Sequence, residues 1–185
     1  HVAKGADITV VYQKMEGKDL TKFGILELDA DDKLVGFEEK PAKPKGNAAS
    51  LGIYVISRTL LIELLEQAIP EGRYDLVKDI IIRFLDKMKI YGFEYNGYWT
   101  SVGASIEAYF AANMDFLNKE VRDHFVNEYP YIATKTKDEP SAKYNKGAEV
   151  TDSIVGSGSI FDGKVEHCVV FRKVRVGKGA VGKNS

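Results

Sequence analysis

The chain has 185 residues, 44% hydrophobic and 29% charged, with a formal net charge of -1 and one cysteine, Cys168. That length holds one good core, or a modest domain plus part of another. The charge balance lacks the clustered basic excess of a nucleic-acid binder, a lone cysteine excludes an intramolecular disulfide, and no apolar run reaches membrane-spanning length, so a cytoplasmic protein with no nucleic-acid or membrane partner is expected.

Residues 6–12 open abruptly as a β-branched strand around Ile8, Val10 and Val11, with no signal peptide before them. The far end stops at Lys183-Asn184-Ser185 inside a repeating pattern, so both ends are expected to be cuts. Residues 24–28 and 34–37 are short apolar strands around a polar turn, which predicts a hairpin and hence a mixed sheet. Pro41 and Pro44 mark a loop. Residues 51–56 predict a buried strand. Ser57 caps a helix with Leu60, Leu61, Leu64 and Leu65 on one face, ended by Pro70 and Gly72. Asp75 is placed to cap a second helix with Ile80, Ile81, Phe84, Leu85 and Met88 at three- and four-residue steps. Residues 90–95 predict a strand. Ser105 opens a helix through Leu117, with Ile106, Tyr109, Phe110, Met114 and Leu117 on its inner face. Strands alternating with helices indicate an α/β layered domain over residues 1–117. Residues 118–147, charged and interrupted by Pro130 and Pro140, predict a short helix and a linker. From residue 148 to 185 the aliphatics Ile154, Ile160, Val170 and Val176 fall mostly six apart among small residues, with one phase slip near Gly163. Such a hexad predicts the first coils of a parallel β-helix, with a pair of hairpins as the alternative.

Several constellations could carry chemistry. Glu39-Lys40-Pro41 ends a strand with a carboxylate suited to sugar hydroxyls and an ammonium suited to phosphate; the same pair is equally an exposed ion pair on a hairpin edge. Ser50 opens a strand, and Gly52 would let a backbone approach closely. Asp75 could bond a ligand hydroxyl, although spacing alone favours a cap. Trp99, in a Gly97–Gly103 loop, suits a sugar face or fills a core gap. His1, His124 and His167 lack ligand spacing, so no metal site is expected. Cys168 reads as a small core residue.

In order, the segments FGILELD, FEEKP, ASLGIYV, YDLVKDII, GYWTSVG and IEAYFAANMDFL resemble the second half of the catalytic domain of glucose-1-phosphate adenylyltransferases. TKTKDEPSAKY and the hexads resemble that family's linker and left-handed β-helix. The resemblance implies a partial nucleotide-diphospho-sugar transferase domain. It implies the reaction of ATP and glucose 1-phosphate to ADP-glucose and pyrophosphate, in glycogen biosynthesis, assisted by Mg²⁺. It places Glu39, Lys40, Ser50, Tyr54, Asp75 and Trp99 around glucose 1-phosphate. Two positions depart from the active members: Ser101 stands where an aspartate helps hold the metal, and Leu76 where a phenylalanine follows Asp75. A hydroxyl lacks the charge that Mg²⁺ prefers. The pattern is most similar to the GlgD-type regulatory subunit, which implies a catalytic partner subunit in a hetero-tetramer. The nucleotide loop would precede His1, so these residues alone are expected to hold no catalytic residue and no metal, and to be inactive. A fully active subunit and a non-catalytic β-helix assembly module are the alternatives.

Overall fold

The structure is a computed structural model that describes residues 1–17, 19–103, 105–128 and 132–185. Pro130, one of the two linker prolines, lies outside the described residues. The chain forms two compact units, His1–Asn96 and Gly97–Ser185.

The first unit is built on five strands, β1 (Ile8–Lys14), β2 (Gly24–Leu28), β3 (Leu34–Glu39), β4 (Ala48–Ile56) and β5 (Ile90–Glu94), in the order β3-β2-β4-β1-β5. β2 and β3 make the expected hairpin. Its turn is held by Asp29 Oδ1, which accepts from the N–H groups of Asp31 and Lys33 at 2.9 Å. β1 lies at the centre, antiparallel to β4 and parallel to β5, so the sheet is mixed. A parallel partner needs a crossover, and the helical stretch between β4 and β5 supplies it.

That stretch starts with α1 (Arg58–Ala68), where Ser57 Oγ accepts from the Leu60 N–H at 3.2 Å. A 3₁₀ turn over Ile69–Glu71 holds Pro70, and a π-helical segment, Leu76–Ile82, follows. Ile8, Val10 and Tyr12 of β1 pack with Leu26, Leu34, Ile90, Leu64, Ile80 and Ile81 into one buried cluster. Each such side chain contributes about 1.5–3 kcal/mol by leaving water. On the opposite face of the sheet Ile53, Val11 and Phe93 stand in one register row, with Ile53 49% and Phe93 57% exposed.

In the second unit α2 (Ile106–Met114) is capped by Ser105, whose Oγ accepts from Ala108 at 3.1 Å, and continues as a 3₁₀ turn through Leu117. α3 (Lys119–Val126) follows. The expected inner face of α2 is not buried: Ile106, Tyr109 and Phe110 are exposed, and Ala112 is the buried residue. An apolar stripe states what a helix can bury; what lies opposite decides whether it does. Phe116 and Phe125 instead pack ring to ring at 5.2 Å.

Beyond α3, eight short strands among the described residues form three small parallel sheets: β6 (Lys143–Tyr144), β7 (Glu149–Thr151), β8 (Ile154–Val155), β9 (Ile160–Phe161), β10 (Lys164–Glu166), β11 (Val169–Val170), β12 (Arg175–Val176) and β13 (Val181–Lys183). Successive strands visit the three sheets in rotation, β6-β9-β12, β7-β10-β13 and β8-β11. This succession is compatible with the start of a β-helix. Val150 pairs with Val165, Val155 with Val170 and Phe161 with Val176, each one 15-residue coil apart. The core is Phe161, Val165 and Cys168. Here the expected hexad phase is corrected. Ile160 is 36% exposed, whereas Phe161 is fully buried and stacks on Tyr144 at 5.4 Å. The register advances 17 residues from β6 to β9 and 15 from β9 to β12, both short of three six-residue steps, so a strict hexad does not fix which residue of this strand turns inward.

Candidate functional site

Glu39 ends β3 opposite Gly24 of β2. A Cβ on Gly24 would lie 2.4 Å from the Phe37 ring and 3.0 Å from Glu39 Oε2, so only glycine lets these side chains fold across β2. Lys40 follows with φ at 49°, in the left-handed region and directly before Pro41. A lysine pays to sit there, more so before proline, and such residues cluster at ligand sites. Its N–H donates to the Phe23 carbonyl at 3.1 Å, and its Nζ lies 3.7 Å from Glu39 Oε1. The Lys40 side chain is exposed, so the ion pair adds little stability, and the ammonium is available to an anion.

Ser50 is buried in β4, and its Oγ accepts from the Gly52 N–H at 3.3 Å. Gly52 has φ at 70° inside a register shift against β1. A Cβ there would meet nothing within 4 Å, so the backbone conformation, rather than close approach, requires the glycine. The Tyr54 phenol is pushed above its ordinary value, first by burial and further by the charges of Glu39 and Asp75, while the nearby Ser50 hydroxyl pulls the other way. Ser50, Tyr54, Glu39 and Asp75 therefore share one electrostatic neighbourhood.

Asp75 is a helix cap: its Oδ1 accepts from the N–H groups of Val77 and Lys78, both at 2.9 Å. Its own N–H donates to Asp79 Oδ2 at 2.9 Å. Around it runs an ion-pair chain in which Arg73 meets Glu71 at 2.8 Å and Asp79 at 3.5 Å, and Arg83 meets Glu71 at 2.7 Å. The Arg83 and Arg73 hydrogen bonds hold the Glu71 carboxyl below its ordinary value.

Trp99 and Ser101 are half-buried and belong to the Gly97–Ser185 unit. Beside them Tyr98 donates its hydroxyl to Asp115 Oδ2 at 2.7 Å. Burial first, and then that bond, push the Tyr98 phenol up to about 12. No local pattern marks this pairing, since Asp115 lies 17 residues further along the chain. The same is true of Tyr12, whose hydroxyl donates to Glu94 at 3.3 Å while Lys14 pairs with Glu94 at 2.9 Å. Only the parallel pairing of β1 with β5 brings these together.

Chemically the first unit offers a cation for phosphate, a carboxylate and two hydroxyls for sugar oxygens. Among the described residues no three His, Cys, Asp or Glu side chains gather as a metal site, and Ser101 has no charge to give. Among the described residues no helix is long and apolar enough to cross a membrane.

Residues 1–119 match the Nucleotidyl transferase family. The glucose-1-phosphate adenylyltransferase of Geobacillus stearothermophilus is 36% identical over 186 residues, covering 99% of this chain and 48% of that protein. The enzyme of the same name from Thermotoga maritima is 35% identical over 187 residues, covering 99% and 44%. That of Bacillus subtilis is 34% identical over 181 residues, covering 96% and 47%. The chain spans about half the length of the curated relatives it matches.

Proposed function

The chain belongs to the nucleotidyl transferase family, and from that premise we propose that it is part of a glucose-1-phosphate adenylyltransferase subunit of the regulatory type. The parent protein then serves ADP-glucose synthesis from ATP and glucose 1-phosphate in cytoplasmic glycogen biosynthesis, assembled with a catalytic partner subunit. The observation that carries the regulatory assignment is Ser101, a neutral hydroxyl where the resemblance calls for a metal-holding carboxylate. The sugar-phosphate assignment is supported by the common neighbourhood of Glu39, Ser50, Tyr54 and Asp75, with Lys40 beside Glu39.

In this reading Lys40 meets the phosphate as a point charge. Ser50 and Tyr54 bond sugar hydroxyls, and Asp75 adds a carboxylate. Catalysis of phosphoryl-group transfer is largely positioning and neutralisation of charge, so a missing carboxylate at a metal position is costly. Mg²⁺ use belongs to the assembled enzyme and not to these residues. The coils of the second unit form a left-handed β-helix that serves assembly.

The test is turnover by the full-length subunit alone, by its Ser101→Asp variant, and by each with the catalytic partner. The expected result is slow turnover alone, raised about tenfold or more by Ser101→Asp, equivalent to roughly 1.4 kcal/mol of barrier. A wild-type subunit that alone matches the catalytic partner's rate would refute the regulatory assignment and favour a fully active subunit that tolerates Ser101. Unchanged function after Glu39→Ala/Lys40→Ala would leave only an assembly role.

A further inference from the structure

The register shift in β4 does more than interrupt a ladder. Tyr12 of β1 faces Ser50, while its neighbour Val11 faces Ile53, so Leu51 and Gly52 have no partner in that register. In an unbroken strand Ser50 and Tyr54 would stand four residues apart, roughly 13 Å at about 3.3 Å per residue. Looping two residues out brings them to the spacing of their partners Tyr12 and Val10, two residues and roughly 7 Å apart on one face.

Two features hold the excursion. Gly52 adopts the left-handed conformation at φ 70°, and its N–H donates to Ser50 Oγ at 3.3 Å. Space is not the constraint, since a Cβ would meet nothing within 4 Å. The consequence registers on Tyr54: burial raises its phenol, and the nearby Ser50 hydroxyl draws it back down.

We propose that Gly52 is a positioning residue of the sugar-phosphate site, whose left-handed backbone gathers the Ser50 and Tyr54 hydroxyls into one pair and so sets affinity for glucose 1-phosphate without touching it. The proposal rests on the reading that Ser50 and Tyr54 line that site. Its prediction depends on φ alone: a residue that tolerates the left-handed region keeps the pair, and one that avoids it loses the pair.

The experiment compares Gly52→Val, Gly52→Asn and Ser50→Ala in the full-length protein. β-Branched valine is excluded from positive φ, whereas asparagine visits it readily. The first readout is the ligand-free NMR signal of the Tyr54 ring labelled at Cζ; the second is affinity for glucose 1-phosphate. Gly52→Val is expected to move the Tyr54 signal as Ser50→Ala does and to weaken affinity about tenfold, while Gly52→Asn stays within about twofold of wild type on both. If the valine variant does not fold, Gly52→Ala takes its place with the same direction and a smaller size. A Tyr54 signal unmoved by the valine or alanine variant overturns the proposal. Wild-type binding with unchanged affinity in that variant overturns it too and leaves the functional reading standing. A wild-type protein that does not bind glucose 1-phosphate defeats the functional reading instead, and the Tyr54 signal then decides by itself whether Gly52 positions the pair.

Discussion

Asp75 carries two assignments that one pair of substitutions separates. Its Oδ1 accepts two backbone N–H bonds at 2.9 Å, from Val77 and Lys78, at the start of the Leu76–Ile82 segment. Its negative charge also reaches Tyr54. Asp75→Ala leaves both N–H groups without their acceptor and removes the charge from the helix start. Loss of a cap costs about 1 kcal/mol, within a range of roughly 0.5–2, and loss of the favourable charge at the helix start adds about 0.3–1 kcal/mol. For a unit the size of His1–Asn96, each kcal/mol lowers the melting temperature by about 4–8 °C. Asp75→Asn keeps an oxygen at the Oδ1 position and is expected to lose only the charge contribution. Thermal unfolding followed by circular dichroism should therefore rank wild type, then the asparagine variant, then the alanine variant. Glucose 1-phosphate affinity in the full-length protein should fall in both variants, because the carboxylate charge is gone from each. An alanine variant that melts with wild type would refute the capping energetics. An asparagine variant with wild-type affinity would remove Asp75 from the ligand site and leave it a cap.

Phe161→Ala is expected to cost about 3–5 kcal/mol in urea unfolding of the coil unit, since it empties a fully buried position and the stack on Tyr144. Ile160→Ala, one residue away and partly exposed, should cost less than about 1.5 kcal/mol, and equal losses would contradict the register. Tyr98 should ionise near 12 by ultraviolet titration, falling towards its ordinary value of 10 in Asp115→Asn. Because its folded value is raised, the stabilisation is complete below pH 10 and is lost as pH rises from 10 through about 12; a Tyr98 that titrates at 10 would contradict the buried bond.

Features made by neighbours along the chain were legible in the amino-acid order. Ser57, Asp75 and Ser105 cap their helices because the groups they bond lie two or three residues on. The β2–β3 hairpin was equally plain, its polar turn closing on itself through Asp29. Glu39, Lys40, Ser50, Tyr54 and Asp75 were recognisable as a set through family resemblance, while their spacing alone left an ion pair, a strand start and a cap. What joins them arises over distance. The bulge at Gly52 exists only against β1, because a register shift needs a second strand to be out of step with. Tyr12 meets Glu94 across 82 residues through a parallel pairing that no local pattern encodes. The aliphatic hexads announced stacked coils, yet Phe161 and not Ile160 points inward, because the phase is set by the strands at β6 and β12 that β9 pairs with. Periodicity states which side chains are able to leave water; the long-range partner across the sheet or coil decides which of them do.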